Sequence, residues 1–240
     1  MSDRAAGLGE PPLAEHEGRP ELRHHFSDVV QQRNAASLGM WVFLATEIMF
    51  FGGMFCGYLI YRREYFSAFA AGSRSLNLVA GTLNTAVLIC SSLTVALAVR
   101  ASQLGKRRQL LGLLLATIFF GVVFLAVKGY EWHEEYVEHH VPTFPFSVDD
   151  LVRANPNLHI DAPATKIFFS LYFALTGVHA AHMLVGIGIF AVITWMAWRG
   201  KFSPEYHTPV EIAGLYWHFV DIVWIYLFPL LYLIDRRPGG

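Results

Sequence analysis

Tyr216–Trp224 reads Y-W-H-F-V-D-I-V-W, which sets a histidine and an aspartate inside an apolar run of helix length. Ionisable groups within a membrane span are costly to hold in lipid, so they face a bundle interior or a partner and mark functional positions. His218 and Asp221 are three residues apart, so a helix places them on one face, where they can bond each other or share a partner.

Outward from this motif, the apolar run extends from Ile212 to Ile234, and four more runs match it in length: Leu38–Tyr61, Leu76–Val99, Gln109–Val127 and Ile167–Trp198. Each is long enough to cross about 30 Å of hydrocarbon as a helix. The fold class is therefore all-α, a polytopic membrane bundle of five transmembrane helices. Composition agrees, since 54% of the 240 residues are hydrophobic and only 15% charged, against roughly 25% charged in a soluble domain. A formal net charge of −1 gives no electrostatic support for a nucleic-acid partner. Cys56 and Cys90 lie in apolar runs without disulfide or metal-ligand spacing and read as packing residues.

Residues 1–37 form a polar tail containing Pro11, Pro12 and Pro20; through Arg33 it has no apolar h-region, so it does not read as a cleavable signal peptide. The membrane domain covers 38–234, interrupted at about 133–166 by a loop whose Pro142, Pro145, Pro156 and Pro163 argue for ordered but irregular chain. Residues 235–240 are a short tail. Basic residues set the orientation. An amino terminus inside places the cluster Lys106–Arg108 inside with Arg4, Arg19, Arg23, Arg33, Arg100, Arg199 and Lys201. The carboxyl terminus and the long loop then lie outside.

Glu47 is the one charge-capable residue in Trp41–Phe55, about 14 Å along the first span and so near the membrane midplane. An unpaired carboxylate there is costly, so a neutral or hydrogen-bonded group is expected, its partner on another helix or subunit. A glutamic acid that merely locks two helices together is the plain alternative to proton exchange or gating. Gly53 and Gly57 make a small-x-x-x-small face for close helix approach. Lys128 and Glu131 are spaced for an i,i+3 pair at the end of the third span and read as a solvated rim, continued into the loop by Glu134, Glu135, Glu138, His139 and His140. That group lacks the spacing of a dedicated metal site, and no metal ligand set is assigned. His179 and His182 share a face of the fourth span. Haem ligation would need a partner at matching depth, and His218 reads as too close to the inner end of its span to supply one. Hydrogen-bonding histidines are the plainer reading.

These motifs carry a resemblance. M-W-V-F-L-A-T-E-I-M-F-F from Met40, L-N-T-A-V-L from Leu83, G-V-H-A-A-H from Gly177 and G-L-Y-W-H-F-V-D-I-V-W from Gly214 resemble, in order, the helices of subunit III of the haem-copper cytochrome oxidases, in its five-helix bacterial form. The resemblance implies that Glu47 corresponds to the family's carbodiimide-sensitive membrane carboxylate, Glu131 to the acidic residue ending its third shared helix, and Glu211, His218 and Asp221 to the polar set of its last helix. It implies a non-catalytic subunit in a bacterial inner membrane, partnered with catalytic subunit I and with subunit II. Haem and copper belong to those partners, and this chain has no intrinsic cofactor. Members of the mitochondrial type have seven helices, with a lipid-filled cleft between the first two and the remaining five, whereas this chain has only five. Bound phospholipid is expected from its boundary residues, with Arg62, Arg63, Trp132 and Trp198 as headgroup or interface contacts. His24, His25, Glu205 and His207 join Glu211 as a possible inner-face proton antenna, since imidazole can relay protons near neutral pH. Other functions compatible with the residues are an accessory protein of a nitric oxide reductase system, and an autonomous transporter or haem-binding anchor.

Overall fold

The computed structural model describes residues 29–142, 146–154 and 160–235. In chain order the helices are α1 (Val29–Glu64), α2 (Phe66–Ser75), α3 (Leu78–Gln103), α4 (Arg107–Val137), α5 (Asp149–Ala154), α6 (Ala162–Trp198) and α7 (Thr208–Tyr232). Five of them, α1, α3, α4, α6 and α7, are long and apolar enough to span a membrane. Packing of α3 on α4 and α7, and of α6 on α4 and α7, closes a four-helix body, and α1 lies against α7, α6 and α2. Below, the end of the bundle carrying Val29 is the amino-terminal rim and the other end the opposite rim.

The spans run beyond the apolar runs. α4 continues ten residues past Val127, so Glu131, Glu134 and Glu135 are helical and the connection to α6 is shorter than the expected loop. A helix is stabilised by its own backbone hydrogen bonds, so it does not stop where apolar sequence stops. Segment 66–75, which lies between the first two apolar runs, folds as α2. Its residues Ala68, Phe69, Ala70, Ala71, Gly72 and Ser73 are all buried. Small side chains let α2 lie flat on α6: a Cβ on Gly72 would come within 2.3 Å of the Phe168 ring.

Side chains of α1 and α2 satisfy the carboxyl end of α7, where carbonyls lack intrahelical donors. The Tyr58 hydroxyl donates to the Leu230 carbonyl at 2.8 Å, the Ile234 N–H donates to Ser73 Oγ at 3.3 Å, and Arg74 pairs with Asp235 at 3.0 Å. Tyr58 is the last of three buried positions on α1, after Leu44 and Phe51, each seven residues from the next. This heptad stripe is the face α1 turns to the body, and Trp41, Ile48 and Met49 face away, exposed.

Two packing expectations are corrected. Cys56 and Cys90 are exposed, on faces where a small apolar thiol suits lipid. The Gly53–Gly57 face has nothing within 4 Å of where a Cβ would stand, so no described helix of this chain makes the close approach.

Candidate functional site

The Tyr216–Trp224 motif is the spine of the site. Trp217 and Trp224, both wholly buried and two turns apart, donate their indole N–H groups to α3, to Ser91 Oγ at 3.0 Å and Thr85 Oγ1 at 3.1 Å. Trp217 fits because Gly121 and Gly186 leave room: Cβ atoms there would meet its ring at 2.9 and 2.8 Å. With the two indoles inward, His218 turns to α3 and its Nδ1 lies 2.7 Å from Ser92 Oγ. Asp221 is buried without a hydrogen bond of ordinary geometry, the Ser92 hydroxyl being its polar neighbour. The two ionisable residues therefore share a neighbour and do not bond each other.

Glu47 meets His182. Its Oε2 is 3.2 Å from His182 Nε2, and His182 Nδ1 is 2.9 Å from the Val178 carbonyl of its own helix. A carbonyl only accepts, so Nδ1 carries a hydrogen. The contact at Nε2 then requires one more proton, on the imidazole or on the carboxyl, and either placement leaves the pair neutral overall. The Phe51 ring lies tilted against His182, with centroids 5.3 Å apart, and the Tyr216 hydroxyl donates to the His182 carbonyl at 2.9 Å. His179, one turn earlier, points instead into the four-helix body between Phe124 and Trp224, at 5.3 and 5.2 Å, with neither ring nitrogen bonded. The expected depth mismatch of His218 with His182 is corrected: Trp217 packs on Gly186, one turn from His182. The rings nevertheless face different helices, α3 and α1.

Lys128 and Glu131 are no solvated rim; each is 1% exposed. Lys128 Nζ uses its three protons on Tyr232 OH at 2.8 Å, Tyr172 OH at 3.2 Å and Glu131 Oε1 at 3.3 Å. Both hydroxyls in turn donate to Glu131 Oε1, from Tyr172 at 2.7 Å and from Tyr232. The rings of Tyr172, Trp224 and Tyr232 lie 5.0, 5.3 and 5.5 Å from Nζ and add cation–π attraction. The cluster ties α4, α6 and α7 together near the opposite rim. One turn on, Glu135 and His140 are also buried, joined at 2.8 Å. The tyrosines were not singled out from the sequence, because a tyrosine near the end of a span reads equally well as an interfacial aromatic.

At the amino-terminal rim His207 repeats the His182 arrangement, with Nδ1 at 2.7 Å from the Pro204 carbonyl and Nε2 at 3.1 Å from Glu211 Oε1. Gln103 of α3 donates to the same oxygen at 2.7 Å. Glu205 is exposed nearby, whereas His24 and His25 lie outside the described residues. Arg107 at the start of α4 donates to the last carbonyls of α6, those of Ala197 at 3.0 Å and Trp198, neutralising that helix end. Among the interface candidates, Arg63 and Trp198 are exposed and Arg62 is half-buried. Trp132 turns inward against Phe173 at 6.2 Å and is no surface anchor, its indole N–H being buried.

A family model described as cytochrome c oxidase subunit III matches residues 21–141 and 159–235. The cytochrome c oxidase subunit 3 of Corynebacterium diphtheriae is 32% identical over 204 residues, 84% of this chain and 89% of that protein. That of Thermostichus vulcanus is 30% identical over 200 residues, covering 83% and 87%, and that of Gallus gallus 29% over 220 residues, covering 87% and 72%. Since the matched residues hold all five spans, the Glu47–His182 pair, the Lys128–Glu131 cluster and the doubly anchored tryptophan helix, the chain belongs to the cytochrome c oxidase subunit III family.

Proposed function

We propose that this chain is the non-catalytic membrane subunit of a haem-copper terminal oxidase, seated against catalytic subunit I with subunit II in the same complex, and that haem and copper reside in those partners. The family match along nearly the whole chain carries this reading. The surroundings of the membrane histidines support it: His182 uses both ring nitrogens and His218 one in bonds to this chain's own groups, and the unbonded His179 is enclosed between Phe124 and Trp224. In the orientation the basic residues favour, the amino-terminal rim is cytoplasmic. There the His207–Glu211–Gln103 group and exposed Glu205 form a proton-exchanging surface beside the uptake entrance of the catalytic subunit.

Phospholipid is the proposed bound cofactor. Grooves of about 590 and 530 Å³ flank α1 on its two sides. The first is lined by Met40, Phe43, Ile189 and Tyr216 with Arg33 toward the amino-terminal rim, the arrangement an acyl chain below an anionic headgroup requires.

Affinity purification through a tag on this chain, in mild detergent, tests the reading. A haem-bearing subunit that co-purifies in stoichiometric amount, with the haem spectrum kept by the partners and absent from this chain once the two are separated, is the expected result. A tagged chain that comes alone from membranes with intact oxidase would overturn it.

A further inference from the structure

We propose that Glu135, Glu138 and His140 form a zinc site at the carboxyl end of α4, on the opposite rim. In sequence these residues are merely part of a polar stretch; the helix ending brings them together. The N–H of His140 bonds the Glu135 carbonyl at 3.0 Å and that of His139 the Tyr136 carbonyl at 3.2 Å, the paired bonds of a Schellman ending. His139 takes the left-handed position at φ 61°, where glycine is usual. This ending folds the residue after it back over the residue five before, a place an apolar contact commonly fills. Here the two side chains are an imidazole and a carboxylate.

The three ligand atoms, one from each residue, lie within 4.8 Å of one another. His140 Nδ1 is 2.8 Å from Glu135 Oε2 and 3.5 Å from Glu138 Oε2. In a tetrahedral zinc site with bonds of about 2.0–2.1 Å, ligand atoms stand about 3.3 Å apart; the two His140 contacts bracket that spacing, and the exposed Glu138 side chain can move to set its distance from Glu135. It would take the place of the proton in the hydrogen bond between Nδ1 and Glu135. Two carboxylates and a neutral imidazole supply charge −2, and the helix carboxyl end adds negative potential. An imidazole ligand selects a borderline ion over calcium or magnesium, which take oxygen. The first two ligands are fixed before the ion arrives. Glu135 and His140 are 3% and 2% exposed, and the imidazole is stacked on Phe169 at 4.7 Å. The Glu138 side chain is 53% exposed, leaving an entry path and a fourth position for water.

Zinc chloride added to the metal-stripped, purified membrane complex, read by anomalous diffraction or X-ray absorption at the zinc edge, tests the site. The expected result is one ion bonded to a single imidazole and two carboxylates at the end of α4. Glu138→Gln, at an exposed position, should weaken that binding at least about tenfold, in line with loss of a zinc-site group. His139→Gly keeps all three ligands and relieves the backbone, and should leave zinc bound. Zinc binding unchanged by Glu138→Gln, absence of an ion at this position at saturating zinc, or displacement by equimolar calcium would each overturn the assignment.

Discussion

Glu47 and His182 share a single proton across 3.2 Å, and this constraint separates two substitutions. Glu47→Gln supplies an N–H that His182 Nε2 can accept, so the complex should assemble and melt within about 1 °C of the parent. Glu47→Ala leaves that nitrogen unpaired in a part-buried place, at a cost of about 1–3 kcal/mol, and should lower the melting temperature measurably. Equal melting of the two variants would mean that the pair does not hold α1. The Lys128–Glu131 cluster makes a sharper case. Removing one partner of a buried pair costs about 3–5 kcal/mol because the other charge is stranded. Lys128→Met should therefore destabilise strongly, and adding Glu131→Gln should restore part of the loss. The four-variant cycle, measured by denaturation in detergent, gives the coupling; purely additive effects would contradict the shared hydrogen bonds.

Among the helices, α7 is the most deeply engaged and α1 the least. α7 carries Trp217 and Trp224 into α3 and lies against Gly186 of α6. Gly186→Ala places a methyl 2.8 Å from the Trp217 ring and must push α6 from α7, whereas Gly112→Ala meets nothing within 4 Å. The expected result is a clear fall in thermal stability for the first and none for the second. α1 shows the body a single stripe, Leu44, Phe51 and Tyr58. Its Gly53 and Gly57 face away with open space beyond them. Bulky replacements there, such as Gly53→Leu, should leave this chain folded yet reduce recovery of its oxidase partners on a tag. Full recovery of the partners would show that this face meets lipid only.

For the molecule as a whole, the connections decide which surfaces face which compartment. A cysteine at Lys106, introduced with Cys56 and Cys90 replaced, should resist an impermeant thiol reagent in intact cells, and one at Asp150 should react. The reverse pattern would invert the bundle. The amino-terminal rim joins the starts of α4 and α7 to the ends of α3 and α6 through Arg107, Gln103 and Glu211. If its carboxylates and imidazoles gather protons, neutralising Glu205, His207 and Glu211 together should slow turnover most at alkaline pH, where free protons are scarce. A loss of rate that is the same at every pH would assign these residues to structure alone.

Length, hydropathy and motif order are local properties, and a membrane lets little else decide a span. Five apolar runs therefore specified five helices, and Glu47, His179, His182, His218 and Asp221 stood out because each is a polar residue in an apolar run. Which group each one meets is not local. The pairing of Glu47 with His182 joins residues 135 positions apart, and the Lys128 cluster draws Tyr172 from 44 and Tyr232 from 104 positions away. α2 escaped the reading because its stability comes from lying on α6, with Gly72 against Phe168, and not from its own length or hydropathy. Burial turned an apparent solvated rim into the enclosed Lys128–Glu131 network, since only the neighbouring helices can exclude water from a charge. The backbone turn at His139 did the same for Glu135, Glu138 and His140, setting side chains together by a dihedral angle that residue spacing does not reveal.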